Sequence, residues 1–321
     1  MSDRSTIIDN DLFSEMLEKL RFHGDPGMHG SFTAPWGLVM VATPGQSPFY
    51  VIAEGSCFFE VPGVGEWELQ VGDMVLLPQG DAHYLRDAPT SRLVPFSELQ
   101  VFAPGRGMPT VQGGGGGTLT RIVSGILRFD SSQAFPILKA MDRAFVLRLH
   151  EAGRSEGIDP LLSLYCREGQ SQEPGNRAAT AGLLKLLFIE ILRNRLSARA
   201  QAQMPCGANP LLLAFEPSLQ AAAEAIHFEP QRPWTIAELA GLSGLSRTTF
   251  ATRFLHVTGT SPLVYLTRVR MHKATDLLER TNDTLEAIAG QVGYGSEAAF
   301  STAFKRELGV SPGAYRKKST G

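Results

Sequence analysis

Few side chains in this 321-residue chain have the types and spacing to do chemistry by themselves. Three cysteines, Cys57, Cys166 and Cys206, lack metal-type spacing, and their odd number argues against a disulfide framework. Residues 113–117 are five consecutive glycines. No Lys-Ser/Thr follows at P-loop spacing, so the run reads as a flexible surface loop and not a phosphate cradle. No paired carboxylate or nucleophile–base arrangement is evident; no catalytic residue is assigned, and an enzyme is not expected. Two groups remain. Tyr50, Cys57, Trp67 and His83 combine apolar walls with a few polar points, as small-molecule pockets do. Arg316, Lys317 and Lys318 close the chain as a basic cluster suited to phosphates.

Charge divides along the chain. The net formal charge is −2, but from Leu219 onward there are 12 Lys and Arg against 9 Asp and Glu, while the remainder holds 18 against 23. The basic excess therefore lies in the C-terminal third. No run of about 18 apolar residues exists, and the polar N-terminus lacks a signal-peptide core. A cytoplasmic protein without membrane contact is expected. At this length two or three domains are expected, with 43% hydrophobic and 19% charged residues describing a globular composition.

The C-terminal third is written twice. Residues 235–244 reappear as 284–293 at an offset of 49. At an offset of 50, Ser246, Phe250, Phe254, Gly259, Ser261, Pro262 and Tyr265 then map onto Ser296, Phe300, Phe304, Gly309, Ser311, Pro312 and Tyr315. This is an internal duplication. Each copy reads as helix, glycine turn, helix: Ile236, Leu239 and Ala240 form an apolar stripe, Gly244 turns the chain, and Ser246 caps a helix burying Phe250 and Phe254. That is the helix-turn-helix pattern, whose second helix enters a major groove. Between the copies a helix opened by Ser261-Pro262 should run to about Arg280, or about 27 Å.

Residues 234–318 resemble the two-motif DNA-binding domain of the AraC/XylS family of transcription regulators, most closely through residues 293–316. The resemblance implies base-reading positions at Arg247, Thr248, Ala251, Thr252 and Arg253 on the first recognition helix. On the second it implies Glu297, Ala298, Ser301 and Thr302, with Lys305, Arg316 and Lys317 completing the expected DNA contacts. Thr252 and Thr302 depart from a family pattern in which Arg is frequent there. A short hydroxyl side chain cannot make the bidentate contact to guanine, so groove insertion is implied but no operator sequence.

The N-terminal part is strand-like. Segments 36–42, 50–53, 57–61, 67–71, 74–77, 93–94, 98–102, 119–123 and 126–129 are short and bounded by Gly, Pro or Ser, the signature of a β-sandwich or small barrel. Leu12, Phe13, Met16, Leu17 and Leu20 precede them as a helical stripe. Residues 72–83 resemble the second signature of the cupin fold, and roughly residues 10–130 are similar to the cupin-type sensor of one branch of AraC-like regulators. A metal-binding cupin supplies His-x-His from an earlier strand, where this chain has Tyr50-Val51-Ile52; His83 alone does not make a zinc or iron site. No metal or cofactor is expected. Cys57 alternates with Phe59 and Val61 and should point inward, as a structural or a redox-sensing thiol.

Segments 135–149, 161–165 and 178–196 return to helical period. In the last, Leu183, Leu186, Leu187 and Ile191 stand against Glu190 and Arg195, an amphipathic face that resembles the family's dimerisation segment. The expected fold is thus α+β and multidomain. Its parts are a cupin-like β-barrel with accessory helices (1–130), a helical, dimerising segment (131–200), a linker (201–216) and an all-α domain with two helix-turn-helix units (217–321). The expected function is a promoter-binding transcription regulator that responds to a small-molecule effector or oxidant. The expected partners are double-stranded DNA, a second copy of the chain and RNA polymerase. A cupin-type metal enzyme fused to a DNA-binding domain and a constitutive DNA-binding regulator are the alternatives.

Overall fold

A computed structural model describes residues 11–20, 22–103, 107–129, 138, 141–148, 157–202 and 209–319. Two compact units divide the chain: Leu17–Met204, and Pro205–Gly321 together with the residues through Met16.

In the first unit the described strands are β1 (Phe22–Thr33), β2 (Gly37–Met40), β3 (Gln46–Glu54), β4 (Ser56–Val61), β5 (Gly65–Gln70), β6 (Met74–Leu76) and β7 (His83–Arg86). They continue with β8 (Val94–Pro95), β9 (Val101–Phe102), β10 (Thr110–Gly114), β11 (Leu119–Phe129) and β12 (Phe145–Leu147). A seven-stranded sheet runs β12-β6-β3-β11-β1-β10-β9 and a five-stranded sheet β5-β4-β7-β2-β8. One core joins their inner faces: Phe32, Ile52, Val75 and Ile122 from the larger sheet meet Leu38, Cys57, Phe59 and Leu85 from the smaller. Alternation makes this possible, since in β4 Cys57, Phe59 and Val61 are buried while Phe58 and Glu60 are half-buried.

Several sequence expectations are corrected here. The strands expected at 119–123 and 126–129 are one, β11, paired with β1 on one side and β3 on the other. β1 itself was not expected, because Pro26 and three glycines interrupt its pattern. Two of those glycines are required by close approach: a Cβ at Gly27 would lie 2.5 Å from the Ser124 carbonyl oxygen, and one at Gly24 2.8 Å from that of Ala181. The glycine run is not wholly a loop, for Gly113 and Gly114 end β10 in parallel register with Phe32 and Thr33. Of the helix expected at 135–149, Phe145–Leu147 is strand β12, paired with Met74–Leu76; residues 135–137, 139–140 and 149 lie outside the described residues.

Two helices, α2 (Ile158–Gln170) and α3 (Asn176–Ala202), complete this unit; α1 (Leu12–Leu20) precedes the strands. α3 packs on β1, β11 and α2, with Leu184, Leu187, Phe188, Ile191 and Leu192 at most 2% exposed. The apolar stripe read as a dimerisation face is therefore spent largely inside the chain's own first unit, and Leu186 at 50% is its exposed member. Arg195 is likewise turned inward, its Nη2 donating to the Val146 carbonyl at 2.7 Å.

The second unit is helical: α4 (Pro217–Phe228), α5 (Ile236–Leu242), α6 (Arg247–Thr258), α7 (Pro262–Arg280), α8 (Leu285–Gln291), α9 (Glu297–Leu308) and α10 (Pro312–Ser319). The expected linker is partly structured. Gln201 and Ala202 still belong to α3, and Pro210–Phe215 is a 3₁₀ turn that buries Leu211, Leu212 and Leu213. Asn209 starts that turn, its Oδ1 accepting from the Leu211 N–H at 3.0 Å. Residues 11–16 group here too, with Phe13 edge-on to Phe215 at 5.0 Å.

Candidate DNA-binding and effector sites

The duplication is realised almost atom for atom. Thr235 and Thr284 cap α5 and α8, while Ser246 and Ser296 cap α6 and α9 by accepting from the third backbone N–H of each helix. Phe250 and Phe254, one turn apart on α6, are fully buried with ring centroids 5.6 Å apart; Phe300 and Phe304 repeat this on α9 at 5.6 Å. Both recognition helices end at a left-handed glycine, Gly259 at φ 73° and Gly309 at φ 77°, a conformation that other residues adopt at a cost. The copies differ at their turns: a Cβ on Gly293 would fall 2.5 Å from the Gln231 carbonyl oxygen, whereas Gly244 faces open space.

α7 ties the two units of the repeat into one body. Its 19 residues span about 28 Å, close to the ~34 Å between major-groove openings on one side of a duplex. Tyr265, Leu266 and Val269 are buried at its start, and Met271, Ala274 and Leu278 pack against α8 and α9 at its end.

Burying the phenylalanines leaves the opposite helix faces to solvent. Arg247, Thr248, Thr252 and Arg253 are exposed on α6 and Ala251 is half-buried; on α9 Glu297, Ala298, Thr302 and Lys305 are exposed and Ser301 is half-buried. Not all are equally free. Arg253 Nη2 is held 2.7 Å from Glu216 Oε1, and the Thr302 hydroxyl donates to the Ala298 carbonyl at 2.9 Å. Arg316 is half-buried and donates from Nη2 to the Asp283 carbonyl at 2.6 Å, so it braces the fold, while Lys317 beside it is exposed.

In the sheet unit, Tyr50 and His83 come together across 33 positions of sequence. Turned inward by the strand that follows Pro78-x-Gly80, His83 is 2% exposed. Its Nδ1 lies 2.7 Å from the Asp81 carbonyl oxygen, which can only accept, so the proton sits on Nδ1. Nε2 then accepts from the Tyr50 hydroxyl at 2.8 Å. Burial lowers the His83 pKa to about 4, outweighing the hydrogen bond to Asp81 and that residue's charge, which act in the raising direction. Burial also raises the Tyr50 pKa. The pair is therefore neutral near pH 7 and uses both imidazole nitrogens.

This pair lines a cavity of about 120 Å³ whose walls include Phe32, Leu38, Met40 and Ile122. No Lys, Arg, Asp or Glu is among the described residues around it. Cys57 and Trp67, expected in the same pocket, do not line it. Cys57 is fully buried in the core between the sheets, where it packs with Leu69 and Phe59, and burial pushes its thiol up to about 12. Trp67 packs on the rim of that core against Phe59 at 6.2 Å. The walls Phe32 and Ile122 come from β1 and β11, whose glycine-interrupted and fused patterns concealed their facing. Among the described residues no group of three His, Cys, Asp or Glu could hold a metal ion, and no helix is long and apolar enough to cross a membrane.

Known proteins carry the same two parts. Residues 11–197 match the Cupin family and residues 239–318 the helix-turn-helix domain family. An AraC-like transcription regulator of Streptomyces lividans is 32% identical over 273 residues, covering 85% of this chain and 87% of the relative. This chain belongs to the AraC-like transcription regulators. The HTH-type transcriptional regulator AlkR of Acinetobacter baylyi is 29% identical to this AraC-like regulator over 313 residues, 96% of this chain and 100% of the relative. Among solved structures, the DNA-binding domain of AdpA in complex with a target DNA is 34% identical; it covers 32% of this chain and 91% of its own, with a TM-score of 0.30. The AraC-like regulator is thus a DNA-binding transcription regulator with a cupin-like N-terminal region, and both of these relatives are named as transcription regulators.

Proposed function

We propose that the regulator reads promoter DNA with α6 and α9 and that a small, uncharged, mostly apolar molecule bound beside Tyr50 and His83 controls this binding. The observation that carries the ligand reading is the cavity with a neutral hydrogen-bonded pair in its wall. Its size, about 120 Å³, is near that of a cavity that takes up benzene, and the oxygen of Tyr50 keeps a lone pair for one donor. An unpaired ionic group there would pay a large desolvation cost, which favours a neutral ligand. An oxidant signal through Cys57 has less support, because a buried, protonated thiol is a poor nucleophile.

On the DNA side, the exposed Arg247, Thr248 and Thr252 of α6, and Glu297, Ala298 and Lys305 of α9, are the side chains to meet base edges and phosphates. A homodimer and a contact with RNA polymerase are expected from the family. The outward side of α3, with Leu186, is the part of that helix left for a second copy. The test uses cyclohexanol as probe and the promoter of the adjacent transcription unit as DNA. Cyclohexanol should raise the melting temperature of the wild type, raise that of Tyr50→Phe less, and change operator affinity in a mobility-shift assay. Equal stabilisation of wild type and Tyr50→Phe would remove the cavity from the mechanism. A footprint of one helical turn, unchanged by Glu297→Ala with Lys305→Ala, would remove the two-helix reading.

A further inference from the structure

A second cavity, of about 340 Å³, opens on the other side of Phe32 and Leu38. Trp36, Val94, Leu99 and Arg92 line it, together with the bare backbone of Gly113 and Gly114. Three features give it a chemistry. Trp36 is only 5% exposed and stacks on Phe32 at 4.9 Å, yet its indole Nε1–H meets no acceptor among the described residues. A buried donor left unpaired costs free energy that a ligand oxygen can recover. The Trp36 backbone N–H donates to Asp87 Oδ1 at 2.7 Å, which fixes the backbone and leaves the indole to turn about its own side-chain bonds. Arg92 is exposed at this cavity, and no carboxylate among the described residues pairs with it. Finally, a Cβ on Gly113 would stand 3.6 Å from both Phe32 and Leu99, in ordinary contact, so the missing side chain leaves room that packing does not demand.

We propose that this cavity is a second small-molecule site, for an apolar, aromatic-bodied carboxylate, separate from the Tyr50–His83 cavity. The ring lies against Phe32, Trp36 and Val94; a small turn of the indole presents Trp36 Nε1–H to one carboxylate oxygen, and Arg92 supplies the compensating charge. The volume fits a ligand of drug-fragment size, and the first cavity, with no cation around it, does not offer the same recognition. Because Phe32 and Leu38 wall both cavities, filling one constrains the other.

The test is calorimetric titration of the full-length regulator with 3-phenylpropanoate, 3-phenylpropan-1-ol and 3-phenylpropylamine. The acid should bind with a dissociation constant of about 1 mM or below, the alcohol more weakly and the amine not at all. Trp36→Phe keeps the ring stack but removes the donor, and should weaken the acid about tenfold. Arg92→Gln should bring the acid to the level of the alcohol, and Gly113→Val should abolish binding of both. Tyr50→Phe should change nothing. If Gly113→Val lowers the melting temperature, the surface variant Arg92→Gln and the conservative Trp36→Phe decide. Absence of saturable heat at about ten times that concentration overturns the proposal. So does acid binding that ignores Trp36→Phe and Arg92→Gln, and so does binding lost in Tyr50→Phe, which would put the acid in the first cavity and also contradict the neutral ligand proposed there.

Discussion

Replacing His83 with Gln should remove a pH dependence of stability that the buried imidazole creates. In the unfolded chain this group titrates near 6.5; in the folded one burial lowers it to about 4. Between those values the unfolded chain binds more protons than the native protein. Stability is therefore full above about pH 6.5, falls as the pH drops through the window and has lost the whole contribution near pH 4. The gap corresponds to about 3 kcal/mol at 1.36 kcal/mol per pH unit. The measurement is urea denaturation of wild type and His83→Gln at several values between pH 7.5 and 4.5, following the sheet unit by its tryptophans. His29, whose pKa burial also lowers, is present in both proteins, so the difference of the two curves isolates His83. His83→Gln is expected to be less stable at pH 7 because the Tyr50 hydroxyl loses its partner, and the deficit should shrink towards pH 4.5. Parallel curves over the window, or an imidazole resonance of His83 that titrates above pH 6, would refute the reasoning and with it the neutral lining of the first cavity.

Other outcomes follow from the same geometry. Ser246→Ala and Ser296→Ala each delete a helix cap and should each cost about 1 kcal/mol in urea melts of the full chain; a much larger loss in one alone would contradict the equivalence of the copies. Lys317→Ala should weaken binding to operator and random DNA alike and reduce the salt slope by about one charge, whereas Thr252→Ala should weaken operator binding selectively; filter binding across a salt series reads both. Cys57 should resist a thiol reagent in the native protein and react only on unfolding, as followed by peptide mass mapping; labelling as fast as a free thiol would restore the redox reading.

The helix-turn-helix repeat was legible in the sequence because its determinants are local. A capping hydroxyl, two phenylalanines one turn apart, a glycine at the left-handed end and a proline opening the next helix each act within a few residues of themselves. Repetition at an offset of 49 to 50 turned weak signals into a firm one.

What the tertiary structure alone decided concerns facing and pairing. β1 reads as loop because its glycines serve backbone contacts with Ser124 and Ala181, which lie far away in sequence. Phe145–Leu147 takes its strand state from pairing with β6, since three apolar-flanked residues carry no period of their own. The stripe on α3 shows that a helix face is apolar but not what it covers; the sheet unit covers it. Inward pointing was correctly read for Cys57, yet facing inward is not lining a cavity. Packing density fills the space around Cys57 and leaves it beside Tyr50, His83 and Trp36, and no spacing rule along the chain encodes where packing runs short.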